Sequence, residues 1–378
     1  MSAAIPTQRR RGSASDTWPR VRLGEVCEVV YGERIRKIDA TAPTYPVYGG
    51  GGATFRWATF NRENACVVSR FAMSKECVRY VKGRFFLNDS GLTVASISKF
   101  LSQEFIDWFL MGSQTKIYAC GQGVAQRNLE IKRFRNLSVP LPPLAIQRRI
   151  AAKLDLLCDI VAKRKNQLSQ LNQLVKSRFV EMFGDVALDE HRLGDFCEVG
   201  SGKRVFAEEF KEQGVPFFRG TEIAALAKKE YSGPVYYIAR EHYNQLAAHT
   251  GIPKIGDLLL PSICEEGLVW RVDIDKPFYF KDGRVLWVKV PQTVDSEYLR
   301  FALSEKLRTD YKKIASGTTF AEMKIVNLRQ VKVKVPPLAL QREFAAFVAK
   351  VDKLAFAVRK SLESAEKLYR QQLSEAFA

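Results

Sequence analysis

The sequence predicts an α+β protein in which two similar strand-rich domains with helices are joined by two long helices that form an antiparallel coiled coil. The first observation is that the segment LPPLAIQRRIAA, which begins at Leu141, is repeated as VPPLALQREFAA, which begins at Val335. The second is that RLGEVCEVVYGER, from Arg22, returns as RLGDFCEVGSGKR, from Arg192. The third is that a coiled-coil spacing of apolar residues follows each Pro-Pro pair. Two matching blocks in the same order indicate an internal pseudo-two-fold repeat.

Composition narrows the classes of function. The 378 residues are 46% hydrophobic, which suffices for more than one buried core. A formal net charge of +18 favours a polyanionic partner such as nucleic acid. Residues 1–140 carry 21 Lys or Arg against 11 Asp or Glu, whereas residues 190–335 carry 23 against 20. No apolar run approaches the ~18 residues of a membrane span. The seven cysteines form no CxxC pair, so we expect reduced thiols and a cytoplasmic location.

The elements follow one plan in both copies. Residues 1–19 read as a flexible basic tail. Domain 1 (residues 20–140) holds the strand-like runs CVVSRF, VRYVKGRFFL and LTVASIS, and then a helical stretch over 102–119. Domain 2 (residues 190–335) holds GDLLLPSI, LVWRVDI and RVLWVKV, and then a helical stretch over 296–315. Long helices are predicted over 141–184 and 336–378, because a Pro pair suits only the first turn of a helix.

The two long helices carry apolar residues at alternating steps of four and three, which is coiled-coil spacing. Each helix could instead pack on its own domain, but neither stripe has an obvious partner in the sequence except the other, so mutual antiparallel pairing is favoured. The predicted seam consists of Ile150, Leu154, Leu157, Val161, Leu168, Leu171 and Val175 in the first helix and Phe344, Val348, Val351, Val358, Leu362 and Tyr369 in the second.

Patterns for catalysis and metal binding are missing from the sequence. GSGKR at Gly200–Arg204 lacks the first Gly and the final Ser or Thr of a phosphate-binding loop, so a turn after a strand is favoured. The three histidines, His191, His242 and His249, have no companions at ligand spacing. No Asn-Pro-Pro-aromatic or Asp-Pro-Pro-aromatic methyltransferase motif is present in the sequence, since Leu141 and Val335 precede the two Pro-Pro pairs. We therefore expect a chain without catalytic residues, metal or cofactor of its own.

Taken together, the repeated Pro-Pro words, the repeated openings, the long helices and FGD at Phe183–Asp185 resemble the specificity subunits of type I restriction–modification systems. The resemblance covers about residues 20–378 and departs at Ile146 and Leu340, where the family usually has Glu before Gln. It implies two target-recognition domains, each reading half of a split asymmetric DNA target. It also implies a coiled coil that sets the spacer and docks two methyltransferase subunits, which use S-adenosylmethionine to methylate adenine. Two restriction subunits that use ATP and Mg²⁺ complete some such complexes.

Candidate DNA contacts are polar residues on loops, because Lys and Arg bind phosphates while Arg, Lys, Asn, Gln, Ser and Thr read base edges in the major groove. The Gly49–Gly52 run either lets backbone approach phosphates or is simply a flexible loop. In domain 1 the candidates are Arg34, Arg36, Lys37, Arg56, Arg70, Lys75, Gln122, Gln126 and Arg127. In domain 2 they are Lys203, Arg204, Arg219, Thr221, Arg271, Thr318, Thr319 and Lys324. The alternative function is a stand-alone DNA-binding protein of repressor or nucleoid type, with no methyltransferase partner.

Overall fold

The computed structural model describes residues 18–37, 44–124, 126–184, 188–263, 266–281, 283–315 and 322–377. The chain divides into two compact units. Unit 1 comprises Met1–Leu168 and Ala357–Ala378, and unit 2 comprises Ser169–Phe356. Each unit therefore combines one strand-rich domain with a part of both long helices.

Unit 1 is built on a six-stranded sheet with the order β2-β7-β5-β6-β3-β4, in which only β3 and β6 run parallel. Two short strand pairs, β1 with β10 and β8 with β9, accompany it. The strands are β1 (Arg20–Arg22), β2 (Cys27–Tyr31), β3 (Tyr45–Tyr48), β4 (Arg56–Trp57), β5 (Arg62–Ser69), β6 (Val78–Leu87), β7 (Gly91–Ser96), β8 (Gly121–Gln122), β9 (Asn128–Leu129) and β10 (Ser138–Pro140). The helices are α1 (Leu23–Val26), α2 (Gln103–Gly112), α3 (Gln114–Ala119), α4 (Ile131–Arg135) and the long α5 (Leu144–Phe183), which continues into unit 2.

Unit 2 has two four-stranded sheets, ordered β12-β19-β16-β17 and β13-β15-β14-β18, and a pair formed by β11 and β20. The strands are β11 (Glu190–Arg192), β12 (Glu198–Ser201), β13 (Phe210–Lys211), β14 (Val215–Phe218), β15 (Tyr236–Ile238), β16 (Leu258–Pro261), β17 (Trp270–Arg271), β18 (Tyr279–Phe280), β19 (Val285–Lys289) and β20 (Lys332–Lys334). The helices are α6 (Leu193–Phe196), α7 (Gly220–Lys228), α8 (Arg240–Thr250), α9 (Ser296–Ile314), α10 (Ile325–Arg329) and the long α11 (Leu338–Phe377), which ends in unit 1. The mixed content and the two 40-residue helices confirm the predicted fold class.

The repeated opening RLG closes each domain in the same way. Leu23 and Leu193 are fully buried, and their backbone N–H groups donate to the carbonyls of Leu137 and Val331, at 2.8 Å each. The glycine that follows, Gly24 or Gly194, lies so close to an arginine of α4 or α10 that a Cβ would come within 3.0 Å of it. The sequence RLG is therefore the same in both copies because the chain packs equally closely at this point, where the first strand of each domain pairs with the last.

The sequence predicts one helix over 102–119, but the structure breaks it into α2 and α3 at Ser113, whose φ is −101° and ψ is 19°. At the break, a Cβ on Gly112 would lie 2.9 Å from the ring of Phe377. The end of α11 therefore packs directly against this point of domain 1. In unit 2 the equivalent stretch is the unbroken α9.

Each unit contains a paired segment of the long helices. In unit 1, Lys165 pairs with Glu366 at 2.9 Å, and Lys153 donates to Gln372 farther along, so α5 and α11 run antiparallel. In unit 2, Arg178 pairs with Glu343 at 2.8 Å, and Phe179 and Phe344 pack with ring centroids 5.4 Å apart. All thirteen predicted seam residues are buried or half-buried, and the positions beside them are mostly exposed.

The repeated segments that contain the Pro-Pro pair and a glutamine connect each domain to its long helix. Gln147, which is fully buried, donates from Nε2 to the carbonyls of Phe100 and Pro142, both at 2.7 Å. Its copy, Gln341, donates to the carbonyl of Pro336 at 2.6 Å. A buried amide with its hydrogen bonds satisfied fixes the backbone on both sides of it. We call these two residues the latch glutamines.

Candidate nucleic-acid interface

A cationic cleft of about 440 Å³ lies in unit 2 where β16 ends and α7 begins. Its lining includes the cationic residues Arg219, Lys281 and Arg284 and the apolar residues Pro261 and Ile263. A neighbouring cleft is lined by Arg204 together with the same Lys281 and Arg284. Loops at strand ends thus bring several cations to one surface, which is the charge pattern of a phosphate-binding surface.

Arg219 is held rigidly at the start of α7. Its Nε and Nη2 donate to the two carboxylate oxygens of Glu222, at 3.1 and 3.0 Å, and its guanidinium lies 4.4 Å from the ring centre of Tyr236. Burial alone would raise the pKa of Glu222, but hydrogen bonds from Arg219 and Thr221 hold it below its usual value. Glu222 therefore stays ionised and offsets the charge of Arg219, so that Arg219 contributes a fixed donor geometry more than net charge.

Lys281 and Arg284 supply charge that is less compensated. Arg284 has a side chain 56% exposed and reaches Glu322 at a distance of 3.4 Å, which is a weak surface pair. Lys281 lines both clefts, and its backbone N–H donates to Phe218 at 2.9 Å, which fixes the turn that carries it. The sequence predictions did not include either residue. The sequence KDGR between two strand-like runs could have identified them, because Asp-Gly predicts a turn and a cation stands on each side of it.

In unit 1 the corresponding strand ends carry Arg70. Its guanidinium lies 4.8 Å from the ring centre of Tyr31 and 4.7 Å from that of Phe71, and its Nη1 donates to the carbonyl of Asp89 at 3.4 Å. The adjacent glycine run is tied down at its beginning, because the Gly50 carbonyl accepts hydrogen bonds from Ser69 and Arg79 at 2.6 and 2.9 Å. A Cβ added at Gly51 or Gly52 would meet no atom within 4 Å. That run can therefore approach a ligand closely, although its role stays a prediction.

The structure places the remaining domain 1 candidates on several loops. Arg34, Arg36 and Lys37 are exposed after β2, and Lys75 is exposed between β5 and β6. Arg56 is exposed in β4 and donates to the carbonyl of Thr44. Gln122, at the end of β8, and Gln126, between β8 and β9, are exposed. Arg127 is half-buried, with its guanidinium 4.8 Å from the ring centre of Tyr118.

In domain 2, Arg204, Arg219 and Thr221 meet at the two clefts, whereas the other candidates lie elsewhere or outside the described residues. Lys203 is exposed beside Arg204, and Lys324 is exposed just before α10. Arg271 pairs with Leu258 at the far end of β16 and donates to Ser296 at 2.7 Å. Thr318 and Thr319 lie outside the described residues.

Over 18–377, leaving out the gaps given above, no group of three or more His, Cys, Asp or Glu side chains could hold a metal ion. Within the same residues, no helix has both the length and the apolarity needed to cross a membrane.

Comparison with known proteins gives consistent matches. The family model described as "Type I restriction modification DNA specificity domain" matches twice, over residues 15–173 and 186–365. A protein named as a type I restriction enzyme specificity subunit in Haemophilus influenzae is 24% identical over 373 residues, which is 92% of each chain. The type I restriction enzyme MjaVIII specificity subunit of Methanocaldococcus jannaschii is 23% identical over 316 residues, covering 75% of this chain and 73% of that one.

Solved structures show the same fold. The S subunit of a type I restriction–modification system from M. genitalium matches with a TM-score of 0.67 and 19% identity, over 96% of each chain. A chain from a structure concerned with the assembly and conformational transition of the type I R-M system matches with a TM-score of 0.53 and 19% identity, over 98% of this chain and 99% of that one.

Proposed function

Since the chain belongs to the type I restriction–modification DNA specificity family, we propose that its two domains each read one half of a split DNA target in the major groove. The observation that carries this proposal is the pair of cationic strand-end surfaces on a duplicated scaffold. In both units a parallel strand pair, β3 with β6 and β14 with β18, ends at the surface concerned. Loops at the ends of a rigid sheet are suitable places for recognition residues.

The two surfaces differ in their residues, and this difference predicts an asymmetric target. The turn after β6 is Asn88-Asp89-Ser90, whereas the turn after β18 carries Lys281 and Arg284. The candidate base readers differ as well, because Gln122 and Gln126 of domain 1 are amides whereas Thr221 of domain 2 is a hydroxyl, and these groups favour different base edges. The two halves of the target should therefore differ in sequence, with unspecified bases between them.

In this proposal the paired helices α5 and α11 set the length of the spacer and dock two methyltransferase subunits, which carry S-adenosylmethionine and methylate adenine. Exposed apolar side chains outside the seam support docking on the helices. They include Leu156, Leu340, Leu354 and Phe356, which are 61, 40, 59 and 58% exposed. Contiguous apolar surface marks protein interaction sites, so these side chains are the candidate contacts for the methyltransferase subunits. Restriction subunits that use ATP and Mg²⁺ would complete the complex where they are present.

Reconstitution tests the proposed function. The chain, a cognate methyltransferase subunit and both together are incubated with labelled S-adenosylmethionine and unmodified genomic DNA. We expect transfer of methyl groups to adenine only when both proteins are present. Equal transfer by the methyltransferase subunit alone, or tight site-specific DNA binding by this chain that the subunit does not affect, would favour the stand-alone alternative.

The role of the helices as a ruler has a separate test. Seven residues are inserted into each helix where the two units divide, after Leu168 and after Phe356. One heptad adds about 10 Å to a helix, or about three base pairs of DNA. The methylated target should keep both half-sites and gain about three unspecified base pairs. An unchanged spacer would mean that the helices do not measure it.

A further inference from the structure

Each domain also contacts a long helix through an ion pair that lies farther along the helix than its latch glutamine. In unit 1, Lys82 of β6 pairs with Asp159 of α5 at 3.6 Å. In unit 2, Lys229, which follows α7, pairs with Asp352 of α11 at 2.7 Å. The two lysines come from unrelated parts of their domains. The two aspartates nevertheless lie at nearly the same height on the repeated helix, since Asp352 is equivalent to position 158 at the offset of 194 that relates the Pro-Pro words.

Both lysines leave the backbone at an irregular point. Lys82 lies in a bulge of β6, where the register with β5 shifts between Glu63 and Ala65 and Gly83 has a φ of 78°. Bulges re-aim side chains, and here the lysine is directed at α5. Lys229 is the C-cap of α7 and has a φ of 59° and a ψ of 34°, a left-handed conformation that favours glycine. A lysine at this position carries backbone strain that a glycine would avoid, which motivates the hypothesis that its side chain has a role.

The positions of the pairs suit a mechanical role. Asp159 is twelve residues beyond Gln147, and Asp352 is eleven residues beyond Gln341. At 1.5 Å per residue, these separations are about 18 and 17 Å along the helix. Apolar packing holds each domain against its long helix closer to the latch, at Leu154 in unit 1 and at Val348 in unit 2. The ion pairs lie beyond these residues, so they oppose tilting of the domain away from the helix.

We propose that Lys82–Asp159 and Lys229–Asp352 are positioning pairs that set the tilt of each recognition domain on its long helix, and thereby the spacer length that the protein accepts. This inference rests on the proposed function. All four side chains are about half exposed or more, from 46 to 78%, so each pair is a surface ion pair. Such pairs change an equilibrium by about two- to five-fold. Their effect should therefore appear as a loss of discrimination between spacer lengths and not as a loss of folding.

The main test uses the complex with the methyltransferase subunit and DNA duplexes that carry the target with its natural spacer, or with one base pair more or fewer. The variants are Lys229→Gly, Lys229→Asp, Asp352→Lys and the exchanged pair Lys229→Asp with Asp352→Lys, and the same reversals at Lys82 and Asp159. Lys229→Gly is informative because glycine suits the backbone there, so its melting temperature should equal or exceed that of the unaltered protein. Lys163→Asp, on the exposed surface of α5, controls for the change in net charge.

Single variants should lower the preference for the natural spacer by about two- to five-fold, and the exchanged pairs should restore it. Single variants that keep the full preference for the natural spacer, or exchanged pairs that fail to restore it, would overturn the inference.

A measurement without DNA separates this inference from the proposed function. Spin labels introduced through unnatural amino acids at Glu76 and Lys163 should give a narrow distance distribution that broadens in Lys82→Asp. An unchanged width of the distance distribution would overturn the proposed role of the Lys82–Asp159 pair, even if the unaltered complex methylates a split target. A broadened width with no split-target methylation by the unaltered complex would instead overturn the proposed function.

Discussion

Gln147 accepts a hydrogen bond of 2.8 Å at Oε1 from the backbone N–H of Ser102, the residue that caps helix α2. In the second copy, Gln341 accepts a bond of the same length from the backbone N–H of Asp295, which caps α9. The same amides donate to carbonyls of the Pro-Pro words. A single side chain therefore joins the start of a domain helix to the start of a long helix, twice in one chain.

Replacing a latch glutamine should destabilise its unit. Gln147→Leu keeps the approximate side-chain volume but leaves the N–H of Ser102 and two carbonyls without this partner. A buried polar group without a partner costs about 1–3 kcal/mol, so we expect the free energy of unfolding to fall by about 2–3 kcal/mol, measured by urea denaturation. Arg148→Ala, an exposed neighbour, is the matched control and should change stability by less than about 0.5 kcal/mol. Equal effects of the two variants would contradict the latch.

The ends of the long helices make a second pair of anchors. Phe183 is 1% and Phe377 is 2% exposed, and Lys334 and Lys116 donate to their carbonyls at 3.0 and 2.9 Å. Phe183→Ala and Phe377→Ala should each lower the free energy of unfolding by about 3–5 kcal/mol, the usual cost of deleting a buried aromatic side chain. Phe356→Ala, which removes a side chain 58% exposed, is the control by the same denaturation assay. A small effect at Phe377 would mean that the end of the chain is not part of the core of unit 1.

The repeat made the architecture predictable, because matching sequence segments in the same order imply two domains of similar structure. The strand VRYVKGRFFL has the bounds of β6, and the seam positions face inward. The break at Ser113 was missed although Gly112-Ser113 is a helix-breaking signal. The close approach of Phe377 to Gly112 joins residues 265 apart in the sequence, which the local pattern does not show. The motif PPLAxQ predicted the start of a long helix. It did not predict that Gln147 would accept a hydrogen bond from Ser102, the residue that caps a different helix.

The interface was less predictable than the fold. Arg204, Arg219 and Thr221 do meet at a cleft, yet Lys281 and Arg284 were missed because their turn looked like an ordinary connection between strands. Arg271 was chosen for its charge, and the structure uses it to bind Ser296 near the latch end of domain 2. Charge marks a residue as a candidate, but only strand pairing shows which end of the sheet it reaches.

Burial of Asp107 predicts a dependence of stability on pH. Burial, together with the nearby Glu104 and Asp155, raises the pKa of this carboxyl from 3.8 to about 7, although a hydrogen bond from Gln103 opposes the shift. Because the folded-state pKa is the higher one, the folded protein binds more protons between about pH 4 and 7, and stability falls as the pH rises through this window. Asp107→Asn keeps an acceptor for Gln103 but cannot ionise.

At pH 8, Asp107→Asn should therefore be more stable than the unaltered protein by a few kcal/mol, at about 1.4 kcal/mol per pKa unit. At pH 4 the two should be nearly equal. Thermal unfolding at both pH values gives the comparison. A constant difference in melting temperature across this range would show that the ionisation of Asp107 does not govern it.

The cationic cleft predicts phosphate contacts from Lys281 and Arg284. Lys281→Ala and Arg284→Ala should each weaken DNA binding similarly for all sequences, and should each reduce the slope of log affinity against log salt by about 1. Fluorescence anisotropy of the complex with labelled duplexes over a series of salt concentrations measures this slope. Lys289→Ala serves as the control, since Lys289 lies at the other end of β19 and pairs with Glu198. A slope that stays constant in both cleft variants would place the phosphates elsewhere.

The central claim is that this chain selects a split DNA target for methylation. It is tested most directly by modified-base sequencing of DNA from cells that express the chain with its methyltransferase subunit, and from cells that lack only this chain. The account predicts methylated adenines in one motif of two unequal halves with unspecified bases between them, and loss of that methylation without the chain. Methylation that persists without the chain, or a motif that is not split, would contradict it.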